Sequence, residues 1–251
     1  MIPNTSMPIV MVKRRLLDLF CGAGGAARGY QRAGFYVVGV DINPQPRYAG
    51  DEFHRADAMT FPLDGFDVIH ASPPCQAYSV TRFTHPHVKH PELIVPTRER
   101  LRASGLPYVI ENVIGAPLEA PIILCGTMFG LRAIDTDGKE LFLKRHRLFE
   151  SNVWLNMPTH CTCGDQTVRC GGVYGGGPSN RNKTKNETRG RGGYAPSHAV
   201  RRALLDTTWM VGKEVNQAIP PAYCEWIGAQ LMSACEFKNS ISAAQEETVD
   251  E

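Results

Sequence analysis

The tetrapeptide Pro73-Pro74-Cys75-Gln76 sets a thiol where a short apolar run stops. Phe66, Val68, Ile69 and Ala71 predict an interior strand, and two prolines end it at once because proline has no N–H for a ladder. Cys75 then sits on a loop past a strand's carboxyl end, the edge at which open α/β sheets bind ligands. A helix starting near Gln76 would lower the thiol pKa through its amino-terminal dipole. The chemistry implied is attack by a thiolate; the plain alternative is a buried structural cysteine.

Leu106-Pro107-Tyr108-Val109-Ile110 predicts a second buried strand, which delivers Glu111-Asn112-Val113 at its end. A carboxyl shut away from water has a raised pKa and can hold a proton at neutral pH and donate it. Ile122 to Leu124 and Leu141 to Phe149 read as later strands, the second carrying Arg145-His146-Arg147. Alternation along a strand would put Arg145 and Arg147 on one face and His146 on the other. Two guanidiniums on one face can clamp an anion or a carbonyl oxygen, or line a solvated edge.

The elements that position these groups begin earlier. Leu16, Leu17, Leu19 and Phe20 form an apolar strand that runs into Cys21-Gly22-Ala23-Gly24-Gly25 and a predicted helix from Ala26 to Ala33. Strand, glycine turn and helix is a nucleotide-binding arrangement, because glycine lets the backbone turn tightly and approach a ligand. Phe35 to Val40 predicts the next strand, with Asp41 at its end, where an acidic side chain accepts hydrogen bonds from ribose hydroxyls. A third unit ends near Asp57; either aspartate could instead cap a helix or sit in a solvated turn.

Composition bounds the rest. With 251 residues, 43% of them hydrophobic, the chain can bury one good-sized core and a small second lobe. A net charge of +2 leaves any nucleic-acid surface to be local. Eight cysteines at irregular spacings suggest a reducing, cytoplasmic compartment. The start lacks a basic segment before its short apolar run, and no stretch approaches membrane-spanning length, so neither secretion nor a membrane anchor is expected.

From Gly171 to Gly193 glycine is abundant, and Arg181, Lys183, Lys185, Arg189 and Arg191 are opposed only by Glu187, with Tyr174 and Tyr194 interleaved. Such sequence builds little core and suits a phosphate backbone, or else is a solvated loop. His160, Cys161, Cys163 and Cys170 invite a zinc reading, but the Cys-x-Cys spacing is tighter than the usual knuckle and no second pair follows at a familiar distance, so no metal site is assigned. Trp226, Ile227 and Leu231 predict an amphipathic helix after Pro220-Pro221, and the polar, acidic tail from 236 to 251 is expected to be disordered.

Asp18-Leu19-Phe20-Cys21-Gly22-Ala23-Gly24-Gly25, Pro73-Pro74-Cys75-Gln76, Glu111-Asn112-Val113 and Arg145-His146-Arg147, in this order, resemble the DNA (cytosine-5)-methyltransferase family. The resemblance implies an α/β fold, a Rossmann-like S-adenosylmethionine-dependent methyltransferase sheet with a small, loop-rich target-recognition region. It implies a catalytic and cofactor-binding domain over 1–150, target recognition over 151–205 and a segment over 206–235 that returns to the first domain. Asn216-Gln217-Ala218-Ile219-Pro220-Pro221 matches the family's closing motif only loosely.

By the same resemblance Cys75 would add to C6 of a flipped cytosine, Glu111 would act at N3, and Arg147, assisted by Arg145, would hold O2. Gly22, Gly24 and Gly25 would carry the methionine portion of S-adenosylmethionine, Asp41 the ribose, Phe20 and Ile42 the adenine and Asp57 its amino group, with Pro74 alongside. Gln76 and Ser79 would contact the opened strand. The implied partner is double-stranded DNA, bound by a monomer, with a cognate restriction enzyme as a candidate companion. Amino-methyltransferases instead carry an aromatic residue where Cys75 stands. An RNA cytosine-5 methyltransferase would use these same residues. An oxidoreductase would explain the glycine turn but not Cys75 with Glu111, and a silent nucleic-acid-binding module would need neither.

Overall fold

The computed structural model describes residues 13–78, 90–174 and 194–247, the last ten of these as backbone alone. Ser79, Arg181, Lys183, Lys185, Arg189 and Arg191 lie outside the described residues.

The amino-terminal half forms five parallel strands, four from apolar runs, β1 (Arg15–Leu19), β2 (Tyr36–Asp41), β4 (Val68–Ala71) and β5 (Tyr108–Asn112), and a polar edge strand, β3 (Glu52–Arg55). β9 (Arg147–Ser151) joins β5 antiparallel, and β6 (Ile122–Leu124) pairs antiparallel with β9, giving the order β3-β2-β1-β4-β5-β9-β6. The chain steps outward from β1 to β3 and then returns to β1's other side with β4. A crevice therefore opens at the carboxyl ends of β1 and β4, where the winding direction reverses.

Alternating side chains divide between the sheet's faces. Leu16, Val37, Val68 and Val109 pack on one face with Ala26, Ala27 and Tyr30 of α1 (Gly25–Arg32) and Tyr223, Ile227 and Leu231 of α5 (Pro221–Glu247). Leu17, Leu19, Val38, Val40, Ile69 and Ile110 pack on the other with Leu101 of α2 (Ile94–Ser104). A three-stranded sheet, β7 (Arg132–Ile134), β8 (Glu140–Lys144) and β10 (Cys170–Gly172) in the order β10-β8-β7, packs with α3 (His198–Leu205) and α4 (Lys213–Gln217) in a separate apolar cluster that includes Leu141, Leu143, Val200, Leu204 and Val215. None of the described helices is long and apolar enough to cross a membrane.

Two expectations are corrected by these elements. Gln76 to Tyr78 form a turn, and among the described residues no helix starts behind Cys75. Helix α5 continues to Glu247, through most of the segment from 236 onward that was expected to be disordered. No glycine or proline follows Gly228 in that stretch, and alanine, glutamate and lysine sustain helix despite the polar composition.

Within β4, His70 is fully buried, with Nδ1 at 2.9 Å from Tyr30 Oη and Nε2 at 2.8 Å from Ser72 Oγ. Burial lowers its pKa to about 3, so the folded protein keeps the ring neutral while the unfolded chain protonates it near pH 6.5. The unfolded state thus binds the extra proton between these values, and stability falls as pH drops below about 6.5, by roughly 2 kcal/mol at pH 5 from this group. Urea unfolding of wild type and His70→Gln at pH 7 and pH 5 should show a markedly shallower pH dependence in the variant; equal slopes would show that His70 is not the group responsible.

Candidate active site

Strand ends β1, β2, β4 and β5 converge on a cleft of about 500 Å³, a volume typical of small-molecule sites. Its walls include Asp18, Phe20, Gly22, Asp41, Ile42 and Asp57 on one side, and Ser72, Pro73, Pro74, Cys75, Gln76, Glu111 and Arg147 on the other. Asn216 to Ile219 line it as well, brought from the far end of the sequence. Cys75 and Glu111 thus face one cavity.

Glu111, next to last in β5, is 6% exposed, and Arg147, the first residue of the adjacent β9, brings Nε to 2.9 Å from Glu111 Oε1. The pair is close without being aligned as a hydrogen bond, and Oε1 keeps no directed donor among the described residues. Burial raises the Glu111 pKa, opposed by Arg147, Arg145 and a hydrogen bond from Ser72. Burial likewise raises the Cys75 thiol, Glu111 raises it further, and Arg147 and Arg145 act in the opposite direction. The dipole-lowered thiol expected from sequence is therefore corrected: in this site the thiol form is favoured. Because the Glu111 charge is one cause, a proton arriving on the carboxyl makes the thiolate easier to form. The two groups compete for negative charge.

Neighbouring residues fix this arrangement. Asn112 Nδ2 donates to Pro73 O at 2.9 Å and ties the Cys75 loop to β5. Arg98 grips Glu150 through two 2.7 Å contacts inside the protein, and the same guanidinium donates to Pro117 O, holding the chain that follows Glu111. Arg145 departs from expectation. The predicted continuous strand breaks between β8 and β9, and Arg145 turns inward, donating to Val173 O at 2.5 Å and Asn216 O at 2.8 Å. At 2% exposure it lies outside the lining of the cleft and braces the closing segment instead of joining Arg147 on one face. Tyr223 Oη donates to Arg145 O at 2.6 Å, so α5 holds this turn too.

At the glycine turn, Gly22 has φ of 50° and donates its N–H to Asp41 Oδ2 at 3.1 Å, while Asn43 N donates to Oδ1. Asp41 thus sets the shape of the glycine turn from the next strand. Phe20 itself sits at φ of 58°, an uncommon conformation for an aromatic residue and one that clusters at functional sites. Ile42 is 65% exposed beside the cleft, an apolar platform open to a ligand. Gly25 and Pro74 line the cleft as expected, but Gly24 does not. Gly24 caps α1 at φ of 79°, and a Cβ there would meet Ala49 N at 2.7 Å and the Tyr48 ring at 3.0 Å, so packing explains this glycine.

Asp18 received no role from sequence, although it opens the first motif. It is 1% exposed, lines the cleft, and neither carboxylate oxygen has a hydrogen-bond partner among the described residues. Burial, with the charges of Asp41 and Glu111, raises its pKa. The available signal was a charged residue inside an otherwise apolar strand. Ser72 and Asn112 were also missed as positioning residues. Their polarity at strand ends was visible, but their partners lie 39 residues or more away or on another strand.

No family model matches the sequence. The curated type II methyltransferase M.AgeI of Thalassovita gelatinovora is 28% identical over 122 residues, covering 40% of this chain and 28% of the relative. The chain spans less than a third of that relative's length. Among solved structures, the Entamoeba histolytica methyltransferase EhMeth superposes with a TM-score of 0.55 at 11% identity, covering 89% of this chain and 99% of that one. Dnmt2 methyltransferase of S. pombe gives 0.52 at 13% identity with the same coverages. The fold is that of a methyltransferase. The chain resembles the cytosine-5 methyltransferase family, and its methyltransferase relatives imply S-adenosylmethionine as cofactor. The residues present fit that group: a glycine turn in the left-handed region, an apolar platform, and an unpartnered buried carboxylate able to receive a cation.

The competition between Glu111 and Cys75 has a direct readout. Iodoacetamide alkylation of Cys75, followed by mass spectrometry against pH, should shift to lower pH in Glu111→Gln and to higher pH in Arg147→Ala. An unchanged profile in both would show that the three groups are not electrostatically coupled.

Proposed function

We propose that this protein is a DNA (cytosine-5)-methyltransferase that transfers a methyl group from S-adenosylmethionine to a flipped cytosine through a covalent Cys75 adduct. The observation that carries the reading is the presence of Cys75, Glu111 and Arg147 on one cleft, opposite an apolar and glycine-lined wall suited to the cofactor. When bound, S-adenosylmethionine would supply an electrophilic methyl group next to the base.

Cytosine C5 is a weak nucleophile until a group adds at C6. Cys75 Sγ would form that bond as the C5=C6 bond opens and electron density moves toward N3. Glu111, carrying its proton, would donate to N3 and stabilise the enamine. Giving up its negative charge to a proton favours thiolate at Cys75, so the donor and the nucleophile become competent together. Once C5 carries the methyl, a base removes the C5 proton, the C6–Sγ bond breaks to release the Cys75 thiolate, the electrons restore C5=C6, and N3 returns its proton to Glu111. Arg147 would keep the Glu111 carboxyl in place and reach toward O2. Asp18 suits the methionine ammonium, Asp41 the ribose, Phe20 and Ile42 the adenine faces, and Asp57 its amino group.

A stacked duplex hides every atom in this scheme, so the base must swing out at a cost of a few kcal/mol. Gln76 is exposed at the mouth of the cleft and is proposed to contact the opened strand, together with Ser79. Arg181, Lys183, Lys185, Arg189 and Arg191 are proposed to follow the DNA backbone within the recognition region at 151–205. We assign the protein as a monomer in the cytoplasm, and a restriction enzyme of the same specificity is the companion this reading suggests.

Incubation with labelled S-adenosylmethionine and duplex DNA should place label at cytosine C5, none with Cys75→Ala, and about 10²- to 10⁴-fold less with Glu111→Gln. Label on an exocyclic amine, or equal transfer by Cys75→Ala, overturns the covalent mechanism, and label on RNA but not DNA overturns the substrate.

A further inference from the structure

Away from the cleft, four potential metal ligands from distant parts of the sequence meet. Cys125 follows β6, His146 lies between β8 and β9, and Cys161 and Cys163 belong to the segment after β9; their ligand atoms all lie within 4.8 Å of one another. Cys161 Sγ is 3.2 Å from Cys163 Sγ, and His146 Nε2 is 3.5 Å and 3.6 Å from those two sulfurs. A tetrahedron with bonds of about 2.3 Å to sulfur and about 2.0 Å to nitrogen has edges of roughly 3.5 to 3.8 Å. The cluster is close to those dimensions, and all its cysteines are free thiols.

Two further features favour a metal. Thr127 Oγ1 lies 3.3 Å from Cys161 Sγ, and the Cys163 N–H donates to the same sulfur at 3.5 Å, the kind of outer hydrogen bonds that support a metal-bound thiolate. Residues 156–169 contain no buried side chain, so this stretch has almost no core to hold it against β6 and β9. A closed metal site supplies such a fastening.

We propose that Cys125, His146, Cys161 and Cys163 bind one structural zinc ion. The sequence pointed to Cys161 and Cys163 but paired them with His160 and Cys170, which are absent from the cluster; the ligands that replace them come from 36 residues before Cys161 and from the arginine motif. His146 stands between Arg145, which braces the closing segment, and Arg147, which meets Glu111. The ion therefore pins the backbone of the turn that aims Arg147 into the cleft, with His146 as a metal ligand and not as part of the reaction.

Protein purified under reducing conditions should contain about one zinc per chain by elemental analysis. His146→Ala and Cys163→Ser should lose most of it, and Cys170→Ser should retain the full amount. Should those variants fold poorly, wild-type protein stripped of zinc and refilled with cobalt(II) gives a separate readout: intense tetrahedral d–d bands and a thiolate charge-transfer band are expected. Less than one-tenth zinc per chain with no cobalt bands, loss of metal by Cys170→Ser as large as by Cys163→Ser, or a Cys161–Cys163 disulfide in freshly reduced protein would each overturn the assignment. Metal content is measured without methyl transfer, so this outcome is independent of the proposed activity.

Discussion

The contact between Glu111 and Arg147 across neighbouring, antiparallel strands is the constraint around which the site is built. A carboxyl at 6% exposure cannot remain charged cheaply, and one guanidinium at 2.9 Å offsets part of that cost without removing it. The remainder is shared with the Cys75 thiol, whose ionisation Glu111 opposes. Both groups are thereby left responsive to whatever enters the cleft. Full pairing of Glu111 with an aligned donor would have fixed its charge and taken away its ability to exchange a proton.

Most of the surrounding structure keeps this contact in register. The Arg98–Glu150 pair ties α2 to β9, Asn112 ties β5 to the Cys75 loop, and Arg145 with Tyr223 ties the turn before β9 to α5. Each of these polar side chains is buried or partly buried and meets at least one backbone or ionic partner, as a precise arrangement inside a low-dielectric interior requires. Asp18 differs, a buried carboxylate lining the cleft with neither oxygen partnered among the described residues.

Local patterns in the sequence were enough to place β1, β2, β4 and β5, because buried parallel strands are continuous apolar runs ended by glycine, proline or a polar residue. Cys75, Glu111 and Asp41 were legible for the same reason, each standing at or just beyond the end of such a run, whereas Phe20 was singled out only through the family resemblance. Arg145 was not, since the alternation rule assumes an unbroken strand and the chain turns at 145–146. Gly24 looked like its neighbours Gly22 and Gly25, yet only the fold reveals Tyr48 pressed against it. The Cys125 and His146 ligands were hidden because a metal site assembled from three separate segments has no fixed spacing, and His146 was already absorbed into a motif with two arginines.

The cleft has one wall from residues 18–25 and another from 216–219, joined where Gly25 abuts Ile219 and the bare face of Gly29 lies against Pro221 and Cys224 at the start of α5. Two halves of a binding surface that are almost two hundred positions apart cannot form from a growing polypeptide until nearly all of it has left the ribosome. A partly synthesised chain would present the Cys75 loop without its roof, so the cleft would be complete only once residues 216–219 had emerged.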